Sequence, residues 1–427
     1  MFQRVLFLVT TTLLSLSLLP PAHATQPVFT TAVDPDAGLT VIQIIQRRGY
    51  AVEEHQVTTD DRYVLTMYRL PKSYDETQKN VTAAANKPAV YLIHGLLDSS
   101  FTWVLNYRNQ SLAYLLADAG YDVWLGNNRG STWSRKHLDY VSTDRRFWDF
   151  TWEEMGKFDL PAMINYVLST TKQSALSYIG HSEGTTQAFV GFSLNQEVAK
   201  KVSYFAALAP VAYVGDTTSI VFIALAKTYL DKWFDTFGFS EFAARNALLQ
   251  DFIAKYGCAY VGVACESFIQ QLVGPSQNMN SSRIHVYVSQ TPAGTSVKNM
   301  GHYAQSIRDH TFRRYDYGCL CSRLLPLSLC PSTICKNKDV YGAFDPPAYN
   351  LSLIKYPRTG FYFGVNDSLA TPSDIAKVRT QLPQGTIVYE KNIPEFNHLD
   401  FTWAYNAPEK LYNDLLVELA KYKGKGY

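Results

Sequence analysis

Leu176-Ser177-Tyr178-Ile179-Gly180-His181-Ser182-Glu183-Gly184-Thr185-Thr186-Gln187-Ala188-Phe189-Val190 is the stretch that decides the fold. Residues 176–179 are a short apolar run suited to a buried strand, and residues 185–192 read as a helix. Between them stands Gly-x-Ser-x-Gly. The order is strand, sharp turn, helix. Such a turn is so tight that a side chain at Gly180 or Gly184 would strike the neighbouring strand or helix. The Ser182 hydroxyl is thereby held at the end of a sheet and at a helix N-terminus, where developing negative charge is favoured. The pentapeptide occurs by chance in loops; the strand before it and the helix after it are what give it meaning.

Around this stretch strands and helices alternate. Residues 89–93 are continuously apolar, residues 111–119 are amphipathic and stop at Gly120, and residues 121–125 are again strand-like. A helix is expected over 158–170 and an apolar strand over 202–211, and the pattern resumes with strands at 360–365 and 387–389 and an amphipathic helix over 408–422. This alternation predicts an α/β fold with a mostly parallel sheet flanked by helices. N-terminal to it, residues 41–48 read as a helix ended by Gly49, and residues 50–57 and 63–70 read as a hairpin around Asp60-Asp61. The polar residues 73–87 read as a surface loop. From Val214 the alternation breaks. Ile223, Ala226, Leu230, Trp233, Phe234 and Phe237 recur at helical spacing, and a second helix-like stretch follows Ser240. Aromatics are dense between Phe222 and Phe242. Packing on the core accounts for most of them, and an apolar inner face of a cap accounts for the rest. The expected organisation is a core over 25–213, a mainly helical cap or lid over 214–309, a cysteine-rich connecting loop over 310–345, and the rest of the core over 346–427.

The chain has 427 residues, 47% hydrophobic and 18% charged, with a net charge of +2, which excludes an electrostatic nucleic-acid binder. Arg4, the apolar run over 5–19 and Ala22-His23-Ala24 read as a signal peptide over 1–24, and no later stretch is long and apolar enough to span a bilayer. Six cysteines (Cys258, Cys265, Cys319, Cys321, Cys330, Cys335) fit disulfides in an oxidising compartment, with fifteen pairings open. The spacings of the last four are poor for zinc, so no metal is expected. Glycan acceptor sequences stand at Asn80, Asn109, Asn280, Asn350 and Asn366, the last beside a candidate catalytic residue.

A serine hydroxyl becomes a nucleophile when an imidazole takes its proton, and a carboxylate must fix that imidazole's tautomer. Asp367 follows the strand ending near Val365, and His398 follows the last strand. Both sit where loops reach the sheet's carboxyl edge. His137 precedes the serine, His302 lies in the insertion, Asp374 is a helical turn past Asp367, and Asp400 is too close to His398 to orient it. Two backbone N–H donors must meet the developing oxyanion. They are expected from Glu183, next to the nucleophile, and from Leu96, in the loop after the strand that ends at His94-Gly95. His94 itself reads as a loop-shaping residue.

The chain resembles the acid lipase family, the gastric and lysosomal acid lipases, over nearly its whole mature length. The resemblance is carried by Gly49-Tyr50 through Tyr68-Arg69, His94-Gly95-Leu96-Leu97, Gly126-Asn127-Asn128-Arg129-Gly130, Gly180 to Gly184, Pro292-Ala293-Gly294-Thr295-Ser296, Asp367-Ser368-Leu369-Ala370, and Asn397-His398-Leu399-Asp400-Phe401. It implies an α/β-hydrolase fold with a cap and a cofactor-free lipase or sterol esterase. It also implies Ser182, Asp367 and His398 as the triad, Leu96 and Glu183 as oxyanion donors, and a Cys258–Cys265 disulfide. The implied partner is a lipid ester at an oil–water or membrane interface, met in the secreted or lysosomal space. A soluble esterase or thioesterase on smaller acyl groups, and a non-catalytic lipid-binding protein, are the alternatives. Two departures stand out. The family usually has Gln where this chain has Glu183, whose carboxylate would oppose an oxyanion when ionised and so favour acidic pH. Residues 319–338 are cysteine-rich where the family has a short polar loop.

Overall fold

The apolar runs identified above pair into one twisted sheet. The computed structural model describes residues 34–229, 238–243, 262–321, 324 and 326–427. Its strands are β1 (Glu53–Thr58), β2 (Tyr63–Leu70), β3 (Ala89–Ile93), β4 (Asp122–Gly126), β5 (Lys136–His137), β6 (Leu176–His181) and β7 (Val202–Leu208). A separate two-stranded pair, β8 (Glu241–Phe242) and β9 (Thr295–Ser296), is followed by β10 (Thr359–Phe363) and β11 (Ile387–Asn392). The main sheet runs β1-β2-β4-β3-β6-β7-β10-β11, with β5 against β2. All pairings from β4 to β11 are parallel, and β1 and β2 join antiparallel. Strands β3, β4, β6 and β7 are buried on both faces, which is why they read as unbroken apolar runs. The edges carry charge instead: Glu53 and Glu54 on β1, Glu390 and Lys391 on β11.

Helices cover both faces. Those used below are α1 (Val41–Arg47), α2 (Leu112–Asp118), α3 (Leu160–Thr171), α4 (Glu183–Leu194), α5 (Ile220–Lys227), α6 (Gly262–Val273), α7 (Val297–Asp309), α8 (Pro372–Gln381) and α9 (Asn413–Tyr422). Thr40 closes a capping box on α1, and a π-helical turn at Met155–Asp159 leads into α3. In that turn Gly156 lies against α4: a Cβ there would come within 2.7 Å of the Gln187 carbonyl. Chain order carries β3 to β4 on one side and β6 to β7 on the other, so a crevice opens at the carboxyl ends of β3 and β6.

Two local expectations differ. The segment read as a loop contains a helical turn, Tyr74–Gln78, closed by a Ser73–Glu76 capping box too short to leave a periodic signal. The helix expected just after Ser240 begins instead as β8, because Glu241 and Phe242 pair with Ser296 and Thr295 far along the chain. Leu230, Trp233, Phe234, Phe237, Cys258 and the segment read as a signal peptide lie outside the described residues.

One buried ion cluster ties the hairpin to the core. Arg129, from the loop after β4, reaches Asp61 in the hairpin turn at 2.6 Å and Asp159 before α3 at 2.5 Å, and its guanidinium lies 4.0 Å from the Tyr63 ring centroid. Burial pushes the Asp159 carboxyl up to about 6, while the Arg129 charge beside it opposes that rise. Removing the cation strands a carboxylate in the core, which costs about 3–5 kcal/mol. Arg129→Met should therefore lower the urea midpoint by that order, and adding Asp159→Asn should restore part of it. A loss below about 1 kcal/mol would show that the cluster is not a structural tie.

Candidate active site

The site is built first by the turn after β6. Ser182 has φ 53° and ψ −117°, a strained conformation that points Oγ away from both strand and helix. Both flanking glycines are required. A Cβ on Gly180 would lie 2.6 Å from the Gly184 carbonyl, and one on Gly184 would lie 2.6 Å from the Ile93 carbonyl of β3.

The structure brings Ser182, His398 and Asp367 together. His398 Nε2 lies 2.6 Å from Ser182 Oγ, and His398 Nδ1 lies 2.9 and 2.8 Å from the two Asp367 oxygens. Asp367 Oδ1 also accepts the Leu369 and Ala370 backbone N–H groups, both at 2.8 Å, so the carboxylate is held from two sides. With Nδ1–H donating to that carboxylate, Nε2 is left to accept from the serine hydroxyl. His181, inside the elbow, adds a clamp that sequence reasoning missed. Its Nε2 lies 2.8 Å from the His398 carbonyl, and burial pushes its imidazole down to about 3, so it is a neutral donor.

The loop after β3, which carries Leu96, comes up against the nucleophile's turn. A Cβ on Gly95 would stand 2.9 Å from Ser182 Cβ, so only glycine lets this loop approach the nucleophile. The Leu96 and Glu183 N–H groups donate to no acceptor among the described residues. His94 shapes this loop as expected: Nδ1 meets the Gly95 carbonyl at 2.8 Å, Nε2 accepts from Asn128 N–H at 3.1 Å, and burial pushes the ring down to about 4.

The Pro-Ala-Gly-Thr-Ser segment braces both the Leu97 loop and Glu183. Ala293 N–H donates to the Leu97 carbonyl at 2.6 Å. Ser296 Oγ accepts from Asn299 N–H at 2.9 Å at the start of α7, and Asn299 Nδ2 donates to Glu183 Oε1 at 2.6 Å. The Glu183 carboxyl is also hydrogen-bonded to Tyr303, Tyr303 Oη donates to Thr186 Oγ1 at 3.4 Å, and Thr186 donates to the Val211 carbonyl at 2.9 Å. Burial pushes the Glu183 carboxyl up to about 7, against the Asn299 and Tyr303 hydrogen bonds.

The segment following α6 is woven into the acid and histidine loops, a tie no local pattern announces. The Val273 carbonyl accepts from both Ser368 N–H and His398 N–H at 3.2 Å, and Asn397 Nδ2 donates to the Gly274 carbonyl at 2.9 Å. Gly274 has φ +105°, and a Cβ there would fall 1.9 Å from the Asn366 carbonyl, beside Asp367. Ser276 and Asn278 hold Asp400, which in turn accepts the Asn397 N–H at 2.8 Å. Asp400 is therefore a brace for the histidine loop. The other rivals stand elsewhere. His137 bonds the Asp61 carbonyl, His302 stacks on Trp152 and bonds the Arg313 carbonyl, and Asp374 pairs with Lys377 on α8.

Ser182 and His398 open into a cavity of about 520 Å³. Its walls are mostly apolar, with Leu96, Val211, Phe242, Phe268, Leu272 and Trp403 among them. Among the described residues its one carboxylate wall residue is Asp98, which burial pushes up to about 6 and which keeps Oδ1 bonded to Ser99 N–H at 2.8 Å. Cys265, on α6, lines the same cavity and is disulfide-bonded; Cys258, the partner the resemblance implies, lies outside the described residues.

Fold and chamber together define an α/β-hydrolase: residues 88–405 match the family described as the alpha/beta hydrolase fold, and residues 41–107 match a partial alpha/beta-hydrolase lipase region. Homo sapiens gastric triacylglycerol lipase is 39% identical over 393 residues, covering 91% of this chain and 93% of that protein. Homo sapiens lysosomal acid lipase/cholesteryl ester hydrolase is 39% identical over 397 residues, covering 92% and 94%. The chain belongs to the acid lipase family. A solved structure from Sulfolobus solfataricus, 12% identical, shares the fold with a TM-score of 0.54 over 87% of this chain and 95% of that one.

Two outcomes are expected. A carboxyl held near 7 in the folded protein and at 4.5 ordinarily keeps its proton between those values when the unfolded chain has lost it. Its contribution to stability is therefore full below the lower value and lost as pH rises through the upper one. Glu183→Gln should flatten that slope and extend the neutral limb of kcat/KM on a soluble ester; superimposable pH profiles would refute it. Gly274→Ala should push Asn366 and the adjacent Asp367 out of register and lower kcat about a hundredfold with little change in KM. Unchanged kcat would show that this contact does not set the acid's position.

Proposed function

We propose that this chain is a lipase of the secretory pathway that hydrolyses carboxylic esters of apolar lipids, triacylglycerols or sterol esters, through Ser182, His398 and Asp367. The observation that carries the reading is a serine 2.6 Å from an imidazole at the mouth of an apolar cavity of about 520 Å³. Ser182 Oγ attacks the ester carbonyl carbon while His398 Nε2 takes its proton, and the Asp367 carboxylate stabilises the imidazolium. The tetrahedral oxyanion is received by the Leu96 and Glu183 N–H groups at the α4 N-terminus. Collapse expels the alcohol, which leaves with the proton from His398 and a covalent acyl-Ser182. Water, deprotonated by His398, then releases the acid. No step calls for a metal or cofactor.

The names of the two human relatives, a triacylglycerol lipase and a cholesteryl ester hydrolase, support a lipid ester over a small soluble one. The cavity supports it too, since an apolar chamber of this volume desolvates an acyl chain and gives a short acid few contacts. Residues 214–309 act in this reading as the cap: Phe222, Phe242, Phe268 and Leu272 from that span line the cavity. Residues 25–213 and 346–427 form the core, and residues 310–345 connect cap to core. A signal peptide over 1–24 directs the chain to the lysosomal lumen or the exterior, where the disulfides Cys319–Cys335 and Cys321–Cys330 are stable.

A serine-reactive phosphonate should label the protein, and Ser182→Ala should abolish labelling and lower hydrolysis by about 10⁴ or more. Emulsified triacylglycerol and cholesteryl ester should be cleaved in preference to short soluble esters. A reversed preference would support a soluble esterase, and an unlabelled Ser182 would support a lipid-binding protein without catalysis.

A further inference from the structure

The cysteine-rich departure from the family has a defined shape. Cys319 pairs with Cys335 and Cys321 with Cys330, one disulfide nested inside the other. The two arms meet as an antiparallel bridge, with Leu320 N–H donating to the Ile334 carbonyl at 2.8 Å. At the base, buried Asn337 accepts Tyr317 N–H at 2.9 Å and donates to Asp316 at 2.7 Å and to the Phe344 carbonyl at 2.8 Å. This is a preformed finger.

Its surface is apolar where a loop is ordinarily polar. Leu320 is 86% exposed, Leu324 95%, Leu329 66% and Ile334 44%. Large aliphatic side chains this exposed on a disulfide-closed loop mark an interaction surface, because water exposure opposes them. The charge pattern says what kind. Residues 317–338 contain three cations, Arg323, Lys336 and Lys338, and no acidic residue. Exposed leucines in a segment whose only charges are cations match a lipid surface with anionic headgroups; Lys336 also lies 3.7 Å from Asp339 just beyond the segment. A second protein chain would ordinarily meet such cations with acids, and no acid stands in this finger for a second copy to use.

The finger is also tied to the cavity wall. Helix α7 presents Tyr303 and Ile307 to the cavity. The same helix holds the finger's base: Gln305 bonds both the carbonyl and the N–H of Asp316, at 2.9 and 2.8 Å, and Lys298 Nζ lies 3.0 Å from Tyr317 Oη.

We propose that the disulfide-stapled finger over residues 319–335 is a docking element that inserts its leucines into an anionic lipid surface. The two disulfides restrict the loop in advance, which lowers the entropy that insertion would otherwise cost. Basic residues draw the finger to the headgroups and the leucines enter beneath them. Docking does not depend on which ester is cleaved, and it is tested with Ser182 removed.

Full-length Ser182→Ala protein is floated with vesicles of phosphatidylcholine alone and of phosphatidylcholine mixed with phosphatidylglycerol. Binding is expected to be tighter to the mixture and to weaken with salt. Leu320→Ser/Leu329→Ser should reduce binding by at least about tenfold, whereas Val141→Ser, an exposed apolar residue elsewhere, should leave it unchanged. The double variant carrying the native Ser182 should hydrolyse a soluble short ester at the wild-type rate, which certifies folding; if it does not, Ile334→Ser is measured in its place. Equal vesicle binding by folded finger variants and parent would overturn the proposal. So would failure of the parent to bind either vesicle, or a dimer abolished by the finger variants while vesicle binding persists.

Discussion

Ser182 turns the chain with φ 53° between a strand and a helix that are both buried along their length. The strain of a non-glycine residue in that region persists only because the surroundings leave no alternative. Gly180 and Gly184 pack on each other and on β3 with no room for a Cβ, Ser182 N–H donates to the Leu208 carbonyl at 3.1 Å, and the Gly95 loop abuts the serine from the other side. The same tight reversal aims Oγ into the cavity, starts α4 directly behind the serine, and sets the distance to the loop bearing Leu96. Relaxing it would disturb all three together.

The Asp367 and His398 loops reach this turn from far away in sequence, and the segment after α6 holds them there. One carbonyl, at Val273, accepts N–H groups from both the Asp367 loop and the His398 loop. Asn397 is held to Gly274, and Asp400 to Ser276 and Asn278. The segment that follows a wall of the apolar cavity is thus also the frame on which the Asp367 and His398 loops are mounted. Movement of that segment would alter chamber and catalytic geometry together, since they share a backbone. Glu183 links the elbow to the same region through Asn299 and Tyr303, both on α7.

Much of this was legible because the residues concerned are local or carry a period. The buried strands showed as unbroken apolar runs, the elbow as a pentapeptide in context, and the hairpin as two extended stretches around an Asp-Asp turn. Asp367 and His398 could be singled out because each follows a strand at the sheet's carboxyl edge. The misses share a cause. β8 was read as helix because its two residues take their conformation from pairing with β9, over fifty residues on. His181 was only the variable position of a motif until its partner, the His398 carbonyl, stood 2.8 Å away. Asn299 and Gly274 bear no mark in the sequence, since their roles lie in what they touch.

By itself, the sequence determined the alternation of elements, the Gly-x-Ser-x-Gly turn at Ser182, and the order in which Asp367 and His398 follow it. Those are properties of short segments, set by backbone sterics and hydrophobic period. Tertiary structure alone decided that Glu183 is buried, so that its carboxyl rises to about 7 against its hydrogen bonds, and that the late cysteines close a nested pair of disulfides. It also decided that an inserted segment clamps the catalytic loops. Each of these depends on desolvation or on contact between residues distant in the chain, and neither quantity exists until the chain has folded.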